Sequence, residues 1–165
     1  MFAFSLLSFL SHSQPVEKPA CPLLDPQVIE RQLVYESDYH HVLLDHRPIQ
    51  PGHMLIVPKR AVRYAHELTD DEWTDLGRVT KKTIGVFKSF LQTEQYFILE
   101  KNGPDAGQTV DQVHFHIVPI TPSKYLPRTL NTFFKIFLRI VIGTSPIPPK
   151  QLSDSVVLFK LAFID

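Results

Sequence analysis

The chain has 165 residues, which is enough for one domain with a sizeable hydrophobic core. Its 17 basic residues balance its 17 acidic residues, so no net field draws in a polyanionic polymer, and nucleic acid is not an expected partner. The single cysteine, Cys21, excludes an internal disulfide and fits a reducing compartment. We therefore expect a cytoplasmic protein.

An apolar run at residues 2–10 opens the chain and resembles the core of a signal peptide. No lysine or arginine precedes this run, and it is shorter than the roughly 20 residues that span a bilayer. We therefore expect neither export nor stable membrane insertion. Prolines recur between residues 11 and 26, so residues 1–31 are predicted to form an N-terminal arm and an irregular linker.

Three β-rich runs follow this linker. Leu33–Glu36 and Tyr39–Leu44 are predicted to form a hairpin around the turn residues at positions 37 and 38, and Met54–Val57 is predicted as a third strand. Thr69 and Glu72 have the spacing of a capping box, which predicts a helix from there to about Phe90. Apolar and small residues at helical spacing predict its buried face: Trp73, Leu76, Thr80, Ile84, Phe87 and Leu91.

Two further strands, Tyr96–Glu100 and Val113–Val118, complete the predicted domain. The expected architecture is α+β, a five-stranded antiparallel sheet backed by one long helix over residues 32–120. Residues 121–165 form a predicted C-terminal extension, in which the apolar run Leu130–Ile142 is a helix docked on the body. Its basic edge leaves two alternatives, a dimer interface or a membrane surface. Prolines at 146–149 end that helix, and Val156–Ile164 is a last short element.

The most informative feature is a pair of histidines, His114 and His116, two residues apart on a predicted strand. Alternate residues of a strand share one face, so both imidazoles point the same way while Val113, Phe115 and Ile117 face the core. A glycine-punctuated loop precedes the strand and can bring backbone N–H groups close to an anion. The pattern predicts a phosphate pocket with an imidazole nucleophile at its edge.

The stretch Gly103–Pro119 resembles the signature of the histidine triad (HIT) family of nucleotide hydrolases and transferases. A second stretch, Val42–Arg60, is similar to the family's upstream block, in which Pro-Gly-His opens a strand that ends in Val-Pro-Lys. The two blocks occur in the family's order and spacing. The resemblance implies a homodimer and a five-stranded α+β fold, and it covers roughly residues 32 to 120.

The resemblance also implies roles for individual residues. His114 matches the middle triad histidine, which would attack the α-phosphorus and form a covalent nucleotidyl-imidazole. His116 matches the third triad position, which contacts the phosphate oxygens or orients its neighbour. His53 matches the upstream histidine beside the triad. Asp45 matches the carboxylate that accepts ribose hydroxyls.

Four more residues are predicted to form the rest of the substrate-binding site. Gln108 and Thr109 can offer an amide, a hydroxyl and main-chain N–H groups to the phosphate. Asn102 lies beside the predicted pocket. Lys101 stands where relatives more often have an amide, and a cation there favours a more highly charged phosphate chain.

The chain departs from the family pattern at the first triad position, where Gln112 replaces histidine. An amide can hold a hydrogen-bond network, but it cannot take up a proton at neutral pH. Cys21 and Leu24 occupy the positions of a zinc-binding Cys-x-x-Cys pair, and a single thiolate does not predict a structural zinc site. Ile120 stands where the family often has arginine.

The expected function is hydrolysis or nucleotidyl transfer at the α-phosphorus of purine nucleotides, with dinucleoside polyphosphates as the leading substrates. Covalent chemistry at histidine needs no metal, so no cofactor is expected, and magnesium would enter only with the substrate. Two alternatives stay open. One is a nucleotide-binding protein that has lost catalysis through Gln112, and the other is a metal centre formed by His53, His114 and His116. The other histidines are expected to be ordinary surface residues: His12, His40, His41, His46 and His66.

Overall fold

The computed structural model describes residues 21–121 and 144–164. The N-terminal apolar run and the predicted helix Leu130–Ile142 therefore lie outside the described residues. Within these ranges, the helices are α1 (Pro26–Gln32), α2 (Asp70–Phe90) and α3 (Pro149–Ala162). The strands are β1 (Leu33–Glu36), β2 (His40–Leu44), β3 (Met54–Pro58), β4 (Tyr96–Glu100) and β5 (Phe115–Pro119). None of the described helices combines the length and apolarity that a membrane crossing requires.

The five strands form one antiparallel sheet in the order β1-β2-β3-β5-β4, which confirms the predicted α+β architecture. Alternating side chains divide between its two faces. Val42, Met54 and Ile56 belong to the main core beneath α2, whereas Leu43 and Leu55 form a smaller cluster on the opposite face. Residues of α1, which was not predicted from the sequence, and of the 3-10 turn before it cover that cluster: Leu23, Leu24 and Val28.

The helix α2 begins at the predicted capping box. The Thr69 hydroxyl accepts from the Glu72 N–H at 3.2 Å, and the Glu72 carboxylate accepts from the Thr69 N–H at 2.8 Å. The predicted buried face is correct at Leu76 and Phe87 but wrong at Trp73, which is 43% exposed and meets the Phe115 ring edge-on. The residues that α2 buries are Glu72, Asp75, Leu76, Val79, Thr83, Val86 and Phe87.

Two buried carboxylates explain why the helix turns this face inward. Glu72 pairs with the Arg60 guanidinium at 2.7 Å, and that pairing lowers the pKa of Glu72 to about 2. Asp75 accepts from the Ser37 hydroxyl at 2.5 Å and lies 2.8 Å from Nδ1 of His40. Because these partners satisfy both acids, α2 can bury polar positions that an apolar periodicity assigns to solvent.

The helix α3 begins at Pro149, one of the prolines that were expected only to end a preceding helix. Proline suits the first turn of a helix because its fixed φ is helical and its missing N–H would have no intrahelical partner there. The helix is also longer than the predicted element Val156–Ile164. Phe163 stacks on Tyr35 and Phe159 meets Phe90, each at a ring-centroid distance of 5.1 Å. α3 therefore completes the core on the α2 side of the sheet.

Candidate functional site

His114 lies immediately before β5, one residue outside the strand, and its side chain is buried against His116. The two rings meet edge-on with centroids 4.8 Å apart. Nδ1 of His114 is 2.8 Å from the Gln112 carbonyl oxygen. A carbonyl can only accept, so we assign the proton to Nδ1. The lone pair then resides on Nε2, which makes no hydrogen bond to residues 21–121 or 144–164.

His116 and His53 are joined by a direct ring contact, with Nε2 of His53 lying 2.9 Å from Nδ1 of His116. The Ile49 backbone N–H reaches Nδ1 of His53 at 3.2 Å, and a backbone N–H can only donate. The same Nδ1 also lies beside a carboxylate oxygen of Asp45, which can only accept, so the two neighbours of Nδ1 favour opposite tautomers of His53. Nε2 of His116 is buried without a partner in the described part of the chain.

Asp45 closes this chain of contacts on the far side of His53. Its Oδ2 lies 3.1 Å from Nδ1 of His53, and its Oδ1 accepts from the Arg47 N–H at 2.8 Å. The carboxylate is mostly buried. Asp45, His53 and His116 thus form a continuous line of side chains that ends beside His114.

The three imidazoles are held neutral at pH 7. Burial, with a smaller contribution from the neighbouring His114, lowers the pKa of His53 to about 3. Burial, followed by His53 and His114, lowers the pKa of His116 to about 3. Burial also lowers the pKa of His114, although its bond to the Gln112 carbonyl acts in the opposite direction. A neutral imidazole retains the lone pair that a nucleophile needs.

Gln112 is fully buried, and its amide is bonded to backbone groups at the end of β3 and in the segment that follows it. Oε1 accepts from the Val62 N–H at 3.0 Å, whereas Nε2 donates to the carbonyls of Pro58 at 3.2 Å and Arg60 at 3.1 Å. The Val113 N–H also donates to the Val62 carbonyl, at 2.8 Å. Gln112 therefore fixes the backbone beneath His114, and its amide is committed to the protein instead of a substrate.

The glycine-punctuated loop before β5 uses most of its donors internally. The N–H groups of Ala106, Gly107 and Gln108 all bond to carbonyls within the loop, and the Gly103 N–H bonds to Oε1 of Gln108. Nε2 of Gln108 donates to the carbonyls of Arg63 and Val110. The expectation that the glycines and the Gln108 amide offer N–H groups to a phosphate is therefore wrong for this conformation, because the loop's own turn consumes them.

Three predicted substrate-binding residues border this loop. Oδ1 of Asn102 accepts from the Ala65 N–H at 2.8 Å, so its carbonyl holds the adjacent segment. Thr109 is exposed, and neither its hydroxyl nor its N–H is bonded within residues 21–121 and 144–164. Lys101 directly follows β4 and is half-buried. Thr109 and Lys101 therefore retain the donors that a bound anion would need.

A metal centre is the remaining alternative for these side chains. One ligand atom from each of Asp45, His53 and His116 lies within 4.8 Å of the others. However, His53 uses opposite ring nitrogens for its two contacts, Nδ1 toward Asp45 and Nε2 toward His116. One ion cannot replace both contacts, since they lie on opposite sides of the ring. An ion bound through one ring nitrogen of His53 would leave the contact of the other nitrogen in place, and His114, the third histidine of the expected metal centre, is not one of these three ligands.

The histidines expected to be ordinary surface residues differ in their environments. His40 is fully buried and bonded to Asp75, so that expectation is wrong for it. His41 is partly buried, and burial lowers its pKa. His46 is about half-exposed and lies 3.8 Å from Asp45. His66 is exposed and stacks on Tyr64. His12 lies outside the described residues.

The last residue of β3 and the segment after it, residues 58–62, bind the Gln112 amide and were not predicted as part of the site. Their contribution consists of backbone groups, so the identities of these residues carried no signal.

The profile of the HIT domain family matches residues 26–122, more than half of the chain. The chain belongs to the HIT family. Its match begins at α1 and ends just after β5, so it includes every strand of the sheet and every residue of the candidate site.

Two curated relatives illustrate this family membership. The chain is 38% identical over 88 residues to the asymmetrical bis(5'-nucleosyl)-tetraphosphatase of Schizosaccharomyces pombe, covering 53% of this chain and 48% of that protein. It is 32% identical over 99 residues to the adenosine 5'-monophosphoramidase HNT1 of Saccharomyces cerevisiae, covering 60% of each. The chain thus spans about half of the first relative and somewhat more of the second.

Among solved structures, the NitFhit protein of C. elegans superposes with a TM-score of 0.64 at 27% identity, covering 80% of this chain and 27% of that one. This similarity extends beyond the match to the family profile.

Proposed function

We propose that this HIT protein hydrolyses or transfers nucleotidyl groups at the α-phosphorus of purine nucleotides, through a covalent intermediate on His114. The observation that carries the proposal is the bond from Nδ1–H of His114 to the Gln112 carbonyl, because it leaves the lone pair on Nε2. Both curated relatives are named for the cleavage of nucleotide phosphoanhydride or phosphoramidate bonds.

In the first step, Nε2 of His114 attacks the α-phosphorus, and the bond from phosphorus to the departing group breaks. A dinucleoside polyphosphate releases a nucleoside phosphate anion and leaves a nucleotidyl-imidazole. With a proton on its buried Nε2, His116 would donate to an oxygen on the phosphorus as negative charge develops there. Thr109 would supply a second donor. The step needs no metal at the histidine.

In the second step, water attacks the phosphorus of the nucleotidyl-imidazole, and the bond to Nε2 of His114 breaks. The products are a nucleoside monophosphate and the free imidazole, and the proton lost by water passes to the medium. An alcohol or phosphate in place of water would give transfer instead of hydrolysis. The contacts among Asp45, His53 and His116 would hold the His116 donor in place during both steps.

Product analysis tests this proposal. Purified full-length protein would be incubated separately with diadenosine triphosphate, diadenosine tetraphosphate and adenosine phosphoramidate. The variant His114→Ala lacks the proposed nucleophile, and His66→Ala is the matched histidine control. We expect AMP from the wild type and from His66→Ala, and none from His114→Ala. Intact mass spectrometry after acid-free quenching should find one added AMP on the two active proteins and none on His114→Ala. Equal AMP release by His114→Ala would refute the proposal.

The second candidate function is nucleotide binding without turnover. Its support is Gln112, which removes a side chain capable of proton transfer from the first triad position. Measurable binding of diadenosine tetraphosphate by calorimetry, combined with no AMP from any of the three substrates, would favour this candidate.

We also propose a homodimer formed through β4, which is the edge of the sheet beside β5. Tyr96 and Ile98 on this strand are 40% and 49% exposed. Long apolar edge strands are rarely left open to water. Light scattering should give twice the monomer mass for the wild type and the monomer mass for Ile98→Lys.

A further inference from the structure

Lys101 occupies a defined position relative to the nucleophile. The pairing of β4 with β5 runs antiparallel through Leu99 opposite His116 and Glu100 opposite Phe115. The next step of the same register brings Lys101 opposite His114. Directly opposite residues of an antiparallel pair share one face, so Lys101 belongs to the face that carries His114 and His116.

The side chain of Lys101 runs along the glycine-punctuated loop. A Cβ built at Gly107 would lie 3.5 Å from Cδ of Lys101, so the alkyl stem follows the turn of the loop. Burial is the main cause of the lowered pKa of His114 and of His116, and the positive charge of Lys101 adds a smaller contribution in the same direction. The stem of Lys101 thus lies between the loop and the face of the sheet that carries the triad histidines.

The ammonium is also free of competing protein partners in the described ranges. Among residues 21–121 and 144–164, Lys101 makes no hydrogen bond and no ion pair, unlike the nearby cations Arg60 and Arg63, which pair with Glu72 and Asp111. The three imidazoles of the site are neutral, and the amides of Gln108 and Gln112 are used by the backbone. Lys101 therefore supplies a positive charge beside His114.

We propose that Lys101 makes this site selective for substrates with more than one negatively charged phosphate, by binding the phosphate group next to the one that His114 attacks. The inference rests on the function proposed above and names the substrate class for that site, nucleotides with two or more phosphates in a chain. A phosphoanhydride leaving group departs as an anion that a fixed ammonium stabilises. The amine of a phosphoramidate gains nothing from that cation and must take up a proton, which the neutral imidazoles do not readily supply.

Lys101→Gln provides a matched test, because it replaces the ammonium by a neutral amide that can still donate a hydrogen bond. Lys81→Gln, at an exposed lysine on α2, is the control. We expect Lys101→Gln to lower kcat/KM for diadenosine tetraphosphate by about tenfold or more, the scale of one charge-assisted hydrogen bond. The kcat/KM of Lys101→Gln for adenosine phosphoramidate should differ from the wild-type value by less than about twofold, because the amine leaving group makes no charge-assisted hydrogen bond to Lys101. An equal loss on both substrates would overturn the proposal.

A binding series separates this inference from the proposed function. Calorimetry on His114→Ala, with and without Lys101→Gln, would measure the affinities of AMP, ADP and ATP without requiring turnover. With Lys101 present, affinity should rise from AMP to ADP by about tenfold. In the protein that also carries Lys101→Gln, the rise should largely disappear. The same rise in both proteins would overturn the role of Lys101, even if no substrate is ever cleaved.

Discussion

Replacing Gln112 by methionine should strongly destabilise the fold. Methionine has a similar length and is well tolerated in cores, but it makes none of the three hydrogen bonds of the amide. The substitution therefore leaves the Val62 N–H and the carbonyls of Pro58 and Arg60 without their side-chain partner.

The magnitude follows from the burial of these three groups. The bonds to Val62 and Pro58 are buried, and the bond to Arg60 is only partly buried, so water can replace it. An unsatisfied buried polar group costs about 1–3 kcal/mol, so two of them should cost about 2–6 kcal/mol. Native domains of this size are stable by roughly 5–15 kcal/mol, which makes this a large share.

Urea unfolding of the full chain, followed by tryptophan fluorescence, would measure this loss. Gln151→Met is the control, because Gln151 is exposed and its side chain has no hydrogen-bond partner in the described part of the chain. We expect an unchanged midpoint for Gln151→Met and a much lower one for Gln112→Met. A Gln112→Met midpoint within error of wild type would refute the assignment of Gln112 as a buried clamp.

The substitution Gln112→His tests the same hydrogen bonds through both stability and activity. A neutral imidazole has one donor and one acceptor, so it can satisfy at most two of the three backbone groups. We expect an intermediate loss of stability, about 1–3 kcal/mol for the one unmet group, and no gain in kcat. A tenfold or larger gain in kcat would show that the first triad position acts on the substrate and that Gln112 weakens catalysis.

Three further outcomes can be measured. The acid limb of kcat/KM should lie below pH 6.5, because burial lowers the pKa of the His114 nucleophile, and a pH–rate profile checks this. The free energy of unfolding should fall as the pH drops from 7 to 5, because His53 and His116 take up protons in the unfolded chain but stay neutral in the fold, where burial lowers the pKa of each. Between these two pH values, the urea midpoint should therefore fall less for His116→Gln than for the wild type. Gly52→Ala should cost about 1–3 kcal/mol in urea unfolding, because φ is +85° and the new Cβ would lie 2.6 Å from Leu91.

The elements that depend on local patterns were predictable from the sequence. The capping box at Thr69 and the five strands follow from residues a few positions apart, and the structure places them within two residues of the prediction. The buried face of α2 was not predictable in the same way. It depends on Arg60 and His40, which approach Glu72 and Asp75 only after the chain has folded.

The candidate site was likewise predictable from the sequence only in the part that depends on local patterns and family motifs. The position of His114 beside His116 follows from strand periodicity, and the match of two blocks to the HIT family located His53 and Asp45. Whether a polar side chain is available to a ligand depends instead on distant backbone groups. Gln108 bonds to the carbonyl of Arg63, 45 positions away, and Gln112 bonds to the Val62 N–H, 50 positions away. The Gln108 amide was predicted to contact a phosphate and the Gln112 amide to hold a hydrogen-bond network, and in the fold both amides bond to the backbone.

This difference changes how the replacement of the first triad histidine is interpreted. A residue that faces a substrate would lose its catalytic contribution when an amide replaces an imidazole, whereas Gln112 faces the backbone at Pro58 and Val62. An amide offers two donors and an acceptor, which matches two carbonyls and one N–H, and a neutral imidazole cannot make all three bonds. Glutamine is thus the better hydrogen-bonding partner at this position, and we expect the chemistry of the site to depend on His114, His116 and the charge of Lys101.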